Sequence, residues 1–117
     1  MTESALTPAA SFAHALAAHV SQGQRVLLTG PIDPDGDSIG ACLALQVGME
    51  QVTGATVVVA GEPGKRYAWL PRAPGMVGDD MLGGEWDLVI VLDGDRFRLE
   101  AGADAAFHGA ASRAIVD

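Results

Sequence analysis

Asp33-Pro34-Asp35-Gly36-Asp37 sets three carboxylates within five residues. A second acidic pair, Asp93 and Asp95, comes much later, and Asp117 is the last residue of the sequence. Carboxylates this close repel one another, and a divalent cation offsets the repulsion because hard cations take carboxylate oxygens. The chemistry that asks for several such groups is phosphoryl transfer at two metals about 3.5–4 Å apart, which clamp the attacking and leaving oxygens. It needs a bridging carboxylate and further ligands from separate stretches of chain. An EF-hand loop is excluded: counting from Asp33, its sixth position would be Ser38 instead of glycine and its twelfth Ala44 instead of glutamate. Plain turn chemistry also accommodates the first cluster, with Asp side chains as caps and Gly36 free to take positive φ. That reading explains one loop and leaves the recurrence of aspartates after other apolar runs unexplained.

Each acidic stretch follows an apolar one. Val26-Leu27-Leu28-Thr29-Gly30 precedes the first, Leu88-Val89-Ile90-Val91-Leu92 precedes Asp93, and Ala114-Ile115-Val116 precedes Asp117. Short, nearly continuous apolar runs suit strands covered on both faces of a parallel sheet. Strands are predicted at 25–30, 55–60 (strongly β-branched), 86–92 and from 113 onward. Phe12, Leu16 and Val20 recur at helical spacing and predict a helix over 8–20, with Gly23 as its C-terminal cap. A second helix is predicted over 39–52, with Ser38 as N-cap, Ile39, Leu43 and Val47 toward the core, and Gly54 closing it. Residues 65–70 read as a short helix and 71–84 as irregular, with a brief strand at Met76-Val77. A weak helical pattern over 96–107 is interrupted by Gly102. Strands alternating with helices predict an α/β fold, a doubly wound and mostly parallel sheet with helices on both faces. In such sheets ligands bind beyond the carboxyl ends of the strands. Aspartates follow three of the four predicted strands at that edge.

The 117 residues make one domain, or part of one, and apolar residues at 49% suffice for a real core. The net charge of −8 supplies no basic stripe to track a long nucleic-acid backbone. A short nucleotide substrate stays compatible, because a bound cation inverts the local field. The single cysteine, Cys42, rules out an internal disulfide and reads as a buried structural thiol. No run is long enough to span a membrane, and no basic segment precedes an apolar one at the start, so a cytoplasmic location is the default expectation.

Gly30-Pro31-Ile32-Asp33-Pro34-Asp35-Gly36-Asp37-Ser38-Ile39-Gly40 resembles the first motif of the DHH phosphoesterases, His-x-x-Pro-Asp-x-Asp followed by a small-residue helix. That superfamily includes nano-RNases, 3′-phosphoadenosine-5′-phosphate phosphatases, RecJ-type exonucleases and manganese pyrophosphatases. Asp87-Leu88-Val89-Ile90-Val91-Leu92-Asp93 resembles its second motif, Arg96 to Leu99 the Arg-Leu step that often follows, and Ala114-Ile115-Val116-Asp117 the approach to the Asp-His-His triplet. The resemblance covers about residues 12–117. It implies a metal-dependent phosphoesterase acting on short oligonucleotides or nucleotide 3′-phosphates, with Mn2+ or Mg2+ at a two-metal site. Asp35 and Asp37 would each ligate one metal. Asp93 would bridge them and hold the attacking hydroxide, and Asp117 would orient groups at the rim. It further implies no membrane partner and is compatible with a homodimer. Two departures stand out. Pro31 occupies the position of the motif's histidine and cannot coordinate a metal, and the chain stops at Asp117 before the triplet's histidines. The expectation is therefore an N-terminal fragment of a DHH domain, lacking the C-terminal substrate-binding domain and inactive by itself.

A non-catalytic domain that binds a nucleotide or partner through a degenerate metal site is the alternative, with Pro31 as its mark. A haloacid-dehalogenase-like phosphatase using Asp93 and Asp95 leaves the first cluster without a role. Among the remaining residues, His14, His19 and His108 read as surface histidines. Arg66 and Arg72 read as partners of surface carboxylates. Tyr67 and Trp69 read as packed beneath their loop, with stacking on a base as the competing role.

Overall fold

A computed structural model describes residues 20, 23–30, 36–62, 64–92 and 99–116, with the backbone alone at 36–38. Four strands form one sheet: β1 (Arg25–Thr29), β2 (Thr56–Val59), β3 (Leu88–Leu92) and β4 (Ser112–Val116), in the order β2-β1-β3-β4. Every pairing is parallel, with Leu27 opposite Val58 and Val89, and Leu92 opposite Val116. Among the described residues three helices accompany the strands: α1 (Gly36–Thr53), α2 (Gly64–Tyr67) and α3 (Ala101–Gly109). Two 3-10 turns, Ala73–Gly75 and Asp79–Met81, punctuate the connection into β3. The α/β class and the parallel sheet are thus as expected. The predicted helix over 8–20 lies outside the described residues, apart from Val20, which is buried.

The central strands have no polar face because both faces are covered. Val26 and Leu28 of β1 and Leu88, Ile90 and Leu92 of β3 join a cluster with Ile39, Cys42, Leu43 and Met49 of α1. The alternate residues, Leu27, Val89 and Val91, join a cluster with Leu99, Ala103, Ala106 and Phe107 on and before α3. Successive strand side chains point to opposite faces, so near-continuous burial requires a helix on each side.

α1 begins earlier than expected. Its first residue is Gly36, which puts Ser38 inside the first turn and removes its predicted role as N-cap. The buried stripe runs Ile39, Cys42, Leu43 and Met49, while Val47 is only half-buried. At the far end Gly54 takes φ +69° and its N–H donates to Glu50 O at 3.1 Å, the stop the glycine announced.

The connection from β2 to β3 wraps around the outer edge of β2. Tyr67, Leu70 and Ala73 contact the α1-side cluster, and Leu82 and Trp86 the α3-side cluster. Between them Val77 forms a single parallel bridge with Ala60, the brief strand expected there. Val77 N–H donates to Val59 O at 2.9 Å and Gly61 N–H to Val77 O at 2.8 Å. That closes part of an edge whose unpaired N–H and C=O groups would otherwise face solvent.

Candidate functional site

The parallel register brings the carboxyl ends of all four strands to one edge. Thr29 lies opposite Val91, Leu28 opposite Val59, and Leu92 opposite Val116. Between β1 and β3 the chain leaves in opposite directions: α1 carries it to β2 on one side, and α3 carries it to β4 on the other. That divergence is the topological switch point at which open α/β sheets bind ligands. α1 starts a few residues after Thr29, so its N-terminus opens at this edge, and a helix N-terminus favours anions through its free N–H groups and dipole.

The residues expected to do chemistry follow these described ends in sequence but lie outside the description. Asp33 and Asp35 fall in 31–35, Asp93 and Asp95 in 93–98, and Asp117 is the residue after β4. Asp37 is described in backbone only, within the first turn of α1. Pro31 is likewise outside. Among the described residues no group of three or more His, Cys, Asp or Glu gathers to hold a metal.

Four of the described carboxylates, those of Glu50, Asp79, Asp87 and Asp104, have other work. Asp79 reaches across to the start of α3: its Oδ2 accepts from Gly102 N–H at 2.7 Å and its Oδ1 from Ala103 N–H at 2.8 Å. This supplies, from a distant segment, the cap that Glu100 at the helix start does not make with its side chain. A Cβ added at Gly102 would collide with the Asp79 carbonyl oxygen and carboxylate, so only glycine admits this approach. Gly102 therefore sits in the first turn of a helix that starts at Ala101, and does not interrupt one running from residue 96. Sequence reasoning missed Asp79, because a cap delivered from another segment has no local spacing to betray it. A groove of about 390 Å³ lies beside this contact, lined by Asp80, Trp86, Gly102 and Ala106 among others. Trp86 turns its indole N–H to Leu82 O at 3.0 Å, and the Asp79 carboxylate is already bonded, so few polar groups remain to fix a ligand there.

At the opposite edge of the sheet, Asp87 accepts from Arg25 N–H at 2.8 Å. The Arg25 guanidinium lies 4.0 Å from the centre of the Trp86 ring and donates to Glu85 O at 2.9 Å. These contacts lock the starts of β1 and β3 together and stand apart from the rim.

The secondary candidates divide. Arg72 pairs with Glu50 at 2.9 Å, as expected of a surface arginine. His108 is half exposed, with Asp104 Oδ1 3.5 Å from its Nε2. Burial pushes the Cys42 thiol up to about 12, which makes it the inert structural thiol foreseen. Tyr67 packs against the α1-side cluster. Trp69 does not pack beneath its loop: it is 74% exposed. Its indole N–H donates to Arg66 O at 2.9 Å, a bond within the segment that holds the ring outward.

Comparison with known protein families, with characterised proteins and with solved structures finds no match to this chain.

Proposed function

We propose that the chain is the metal-binding part of a phosphoesterase of the DHH type, acting on short oligonucleotides or nucleotide 3′-phosphates. The observation that carries the reading is the parallel register. β1, β3 and β4 end along one edge, and in sequence each is followed by aspartate, Asp33, Asp35 and Asp37 after β1, Asp93 after β3 and Asp117 after β4. The ends of β1 and β3 that lead into the first two groups are neighbours at the switch point, one strand spacing, about 4.8 Å, apart.

The donor set suits divalent cations, since carboxylate oxygens are what Mn2+ and Mg2+ take. Asp35, Asp37 and Asp93 would hold them, and the ions when bound supply Lewis acidity at the phosphoryl group. By the resemblance to the DHH phosphoesterases, Asp93 would be the ligand shared by both ions. Asp117, one strand further out, orients groups at the rim. The N-terminus of α1 opens toward the same edge and favours the phosphate's negative charge.

Turnover of a dinucleotide and of a nucleotide 3′-phosphate by the full-length enzyme of which this chain would be the metal-binding part, carrying Asp35→Ala or Asp93→Ala, tests this, with circular dichroism checking the fold. Loss of activity in both is expected, and unchanged turnover in either refutes the assignment. The second reading, a non-catalytic binding domain, rests on Pro31, which offers no ligand where the motif has histidine. Calorimetric titration with manganese separates the two: two tight sites accompany the enzyme, none the binding module.

A further inference from the structure

We propose that residues 64–72 form a platform for single-stranded nucleic acid, on which Trp69 stacks a base while Lys65 and Arg66 meet its phosphates. The inference rests on the phosphoesterase reading for its substrate class and extends it to a contact away from the aspartate rim.

Three observations converge. Trp69 is 74% exposed, whereas the other tryptophan, Trp86, is 4% exposed. An indole ring left in water costs free energy in proportion to its apolar area, which a stacked base would recover. Its N–H is already bonded to Arg66 O, so what remains on offer is the π face, the part a nucleobase uses. The segment is also electrically anomalous. The chain carries fifteen Asp and Glu against seven Lys and Arg, yet no acidic residue occurs between Glu62 and Asp79, where three of the seven basic residues lie. Arg72 of these is bound to Glu50, whereas Lys65 and Arg66 are exposed, the Arg66 guanidinium 5.9 Å from the centre of the Tyr67 ring. A cationic island with a bare aromatic, in a chain of charge −8, complements a polyanion with stacking bases.

Placement sets the length of strand that it serves. The segment leaves the carboxyl end of β2, on the rim side of the sheet, and the Arg72–Glu50 pair ties its end to a late turn of α1. Glu50 is fourteen residues beyond Gly36, which is about 21 Å down the helix from the rim. The platform therefore takes bases trailing away from the rim, and it serves a strand of several nucleotides better than a dinucleotide.

Tryptophan fluorescence of the intact chain in EDTA, titrated with single-stranded hexa-adenylate, tests the proposal without requiring hydrolysis. Hexa-adenylate is expected to quench the exposed tryptophan. Trp69→Leu should weaken its binding at least fivefold by an independent anisotropy measurement, whereas Trp69→Phe should stay within about threefold. Lys65→Gln with Arg66→Gln should flatten the dependence of log affinity on log salt by about 1.4, two phosphates' worth. Diadenylate should be insensitive to Trp69→Leu. Binding is read in EDTA and turnover in Mn2+, so that failure of the catalytic reading and failure of the platform show up in different measurements. Equal binding by wild type and Trp69→Leu overturns the proposal. So does wild-type dimerisation that Trp69→Leu abolishes while nucleotide affinity stays the same, which would assign the ring to a second copy of the chain.

Discussion

Single side chains carry most of what sequence could announce and some that it could not. Cys42 was readable because a lone thiol in an apolar helical stretch has little else to do, and it is buried at 3% exposure between α1 and the sheet. Its thiol, raised to about 12, stays protonated in the folded chain while the unfolded chain ionises above the ordinary thiol range, about 8.5. Over that window the unfolded state binds fewer protons, so stability falls as pH rises, by about 1.4 kcal/mol per unit. Urea unfolding between pH 8 and 10.5 should show this slope. Cys42→Ala should lose that component, and native Cys42 should resist iodoacetamide at pH 8 until urea unfolds the chain. Trp69 went the other way. Its place among apolar neighbours in sequence suggested packing, but the ring is turned outward by its bond to the Arg66 carbonyl, and no periodicity reveals such a bond.

Between elements, the strands were legible because Val, Leu and Ile runs buried on both faces leave no other option for their length. The boundaries of α1 and α3 were not. α1 starts at Gly36, inside what reads as turn chemistry, and α3 starts at Ala101, next to a glycine that reads as a breaker. The second discrepancy comes from a glycine that serves the approach of Asp79 instead of ending a helix. The Asp79–Gly102 contact makes this measurable. Asp79→Ala should cost about 1 kcal/mol, the usual worth of an N-terminal cap. Gly102→Ala should cost about 1–3 kcal/mol, since the added methyl must displace the Asp79 backbone. Chemical denaturation of both single variants and the double variant should give strongly non-additive losses, because both act on one contact. Additive losses would mean that the helix start is held by something else.

For the molecule as a whole, the candidate rim is the part the sequence marks most plainly by residue type, whereas its geometry comes from the fold. Aspartates can be read directly. Their convergence depends on register, which no local pattern carries and which the parallel pairings of β1, β3 and β4 supply for the strand ends. If the rim gathers carboxylates around cations, metal should act as a stabiliser of the whole chain. At a free Mn2+ concentration of a hundred times Kd, one site adds about 2.7 kcal/mol. For a domain of this size that raises Tm by on the order of 10 °C. Scanning calorimetry should show this rise in the wild-type chain and none in Asp35→Ala/Asp37→Ala/Asp93→Ala. Without metal the triple variant should melt higher than the wild type, because its mutual repulsion is gone. The strand order has a separate consequence for biosynthesis. β1 sits in the interior of the sheet, yet its neighbour β3 is made some sixty residues later, after the whole wrap around β2. A nascent chain emerging from the ribosome therefore presents Leu27 and Leu28 on a half-built sheet with one flank open until Leu88–Leu92 arrives. At about 5–20 residues per second that interval lasts seconds, long enough for chaperone capture to compete with self-association.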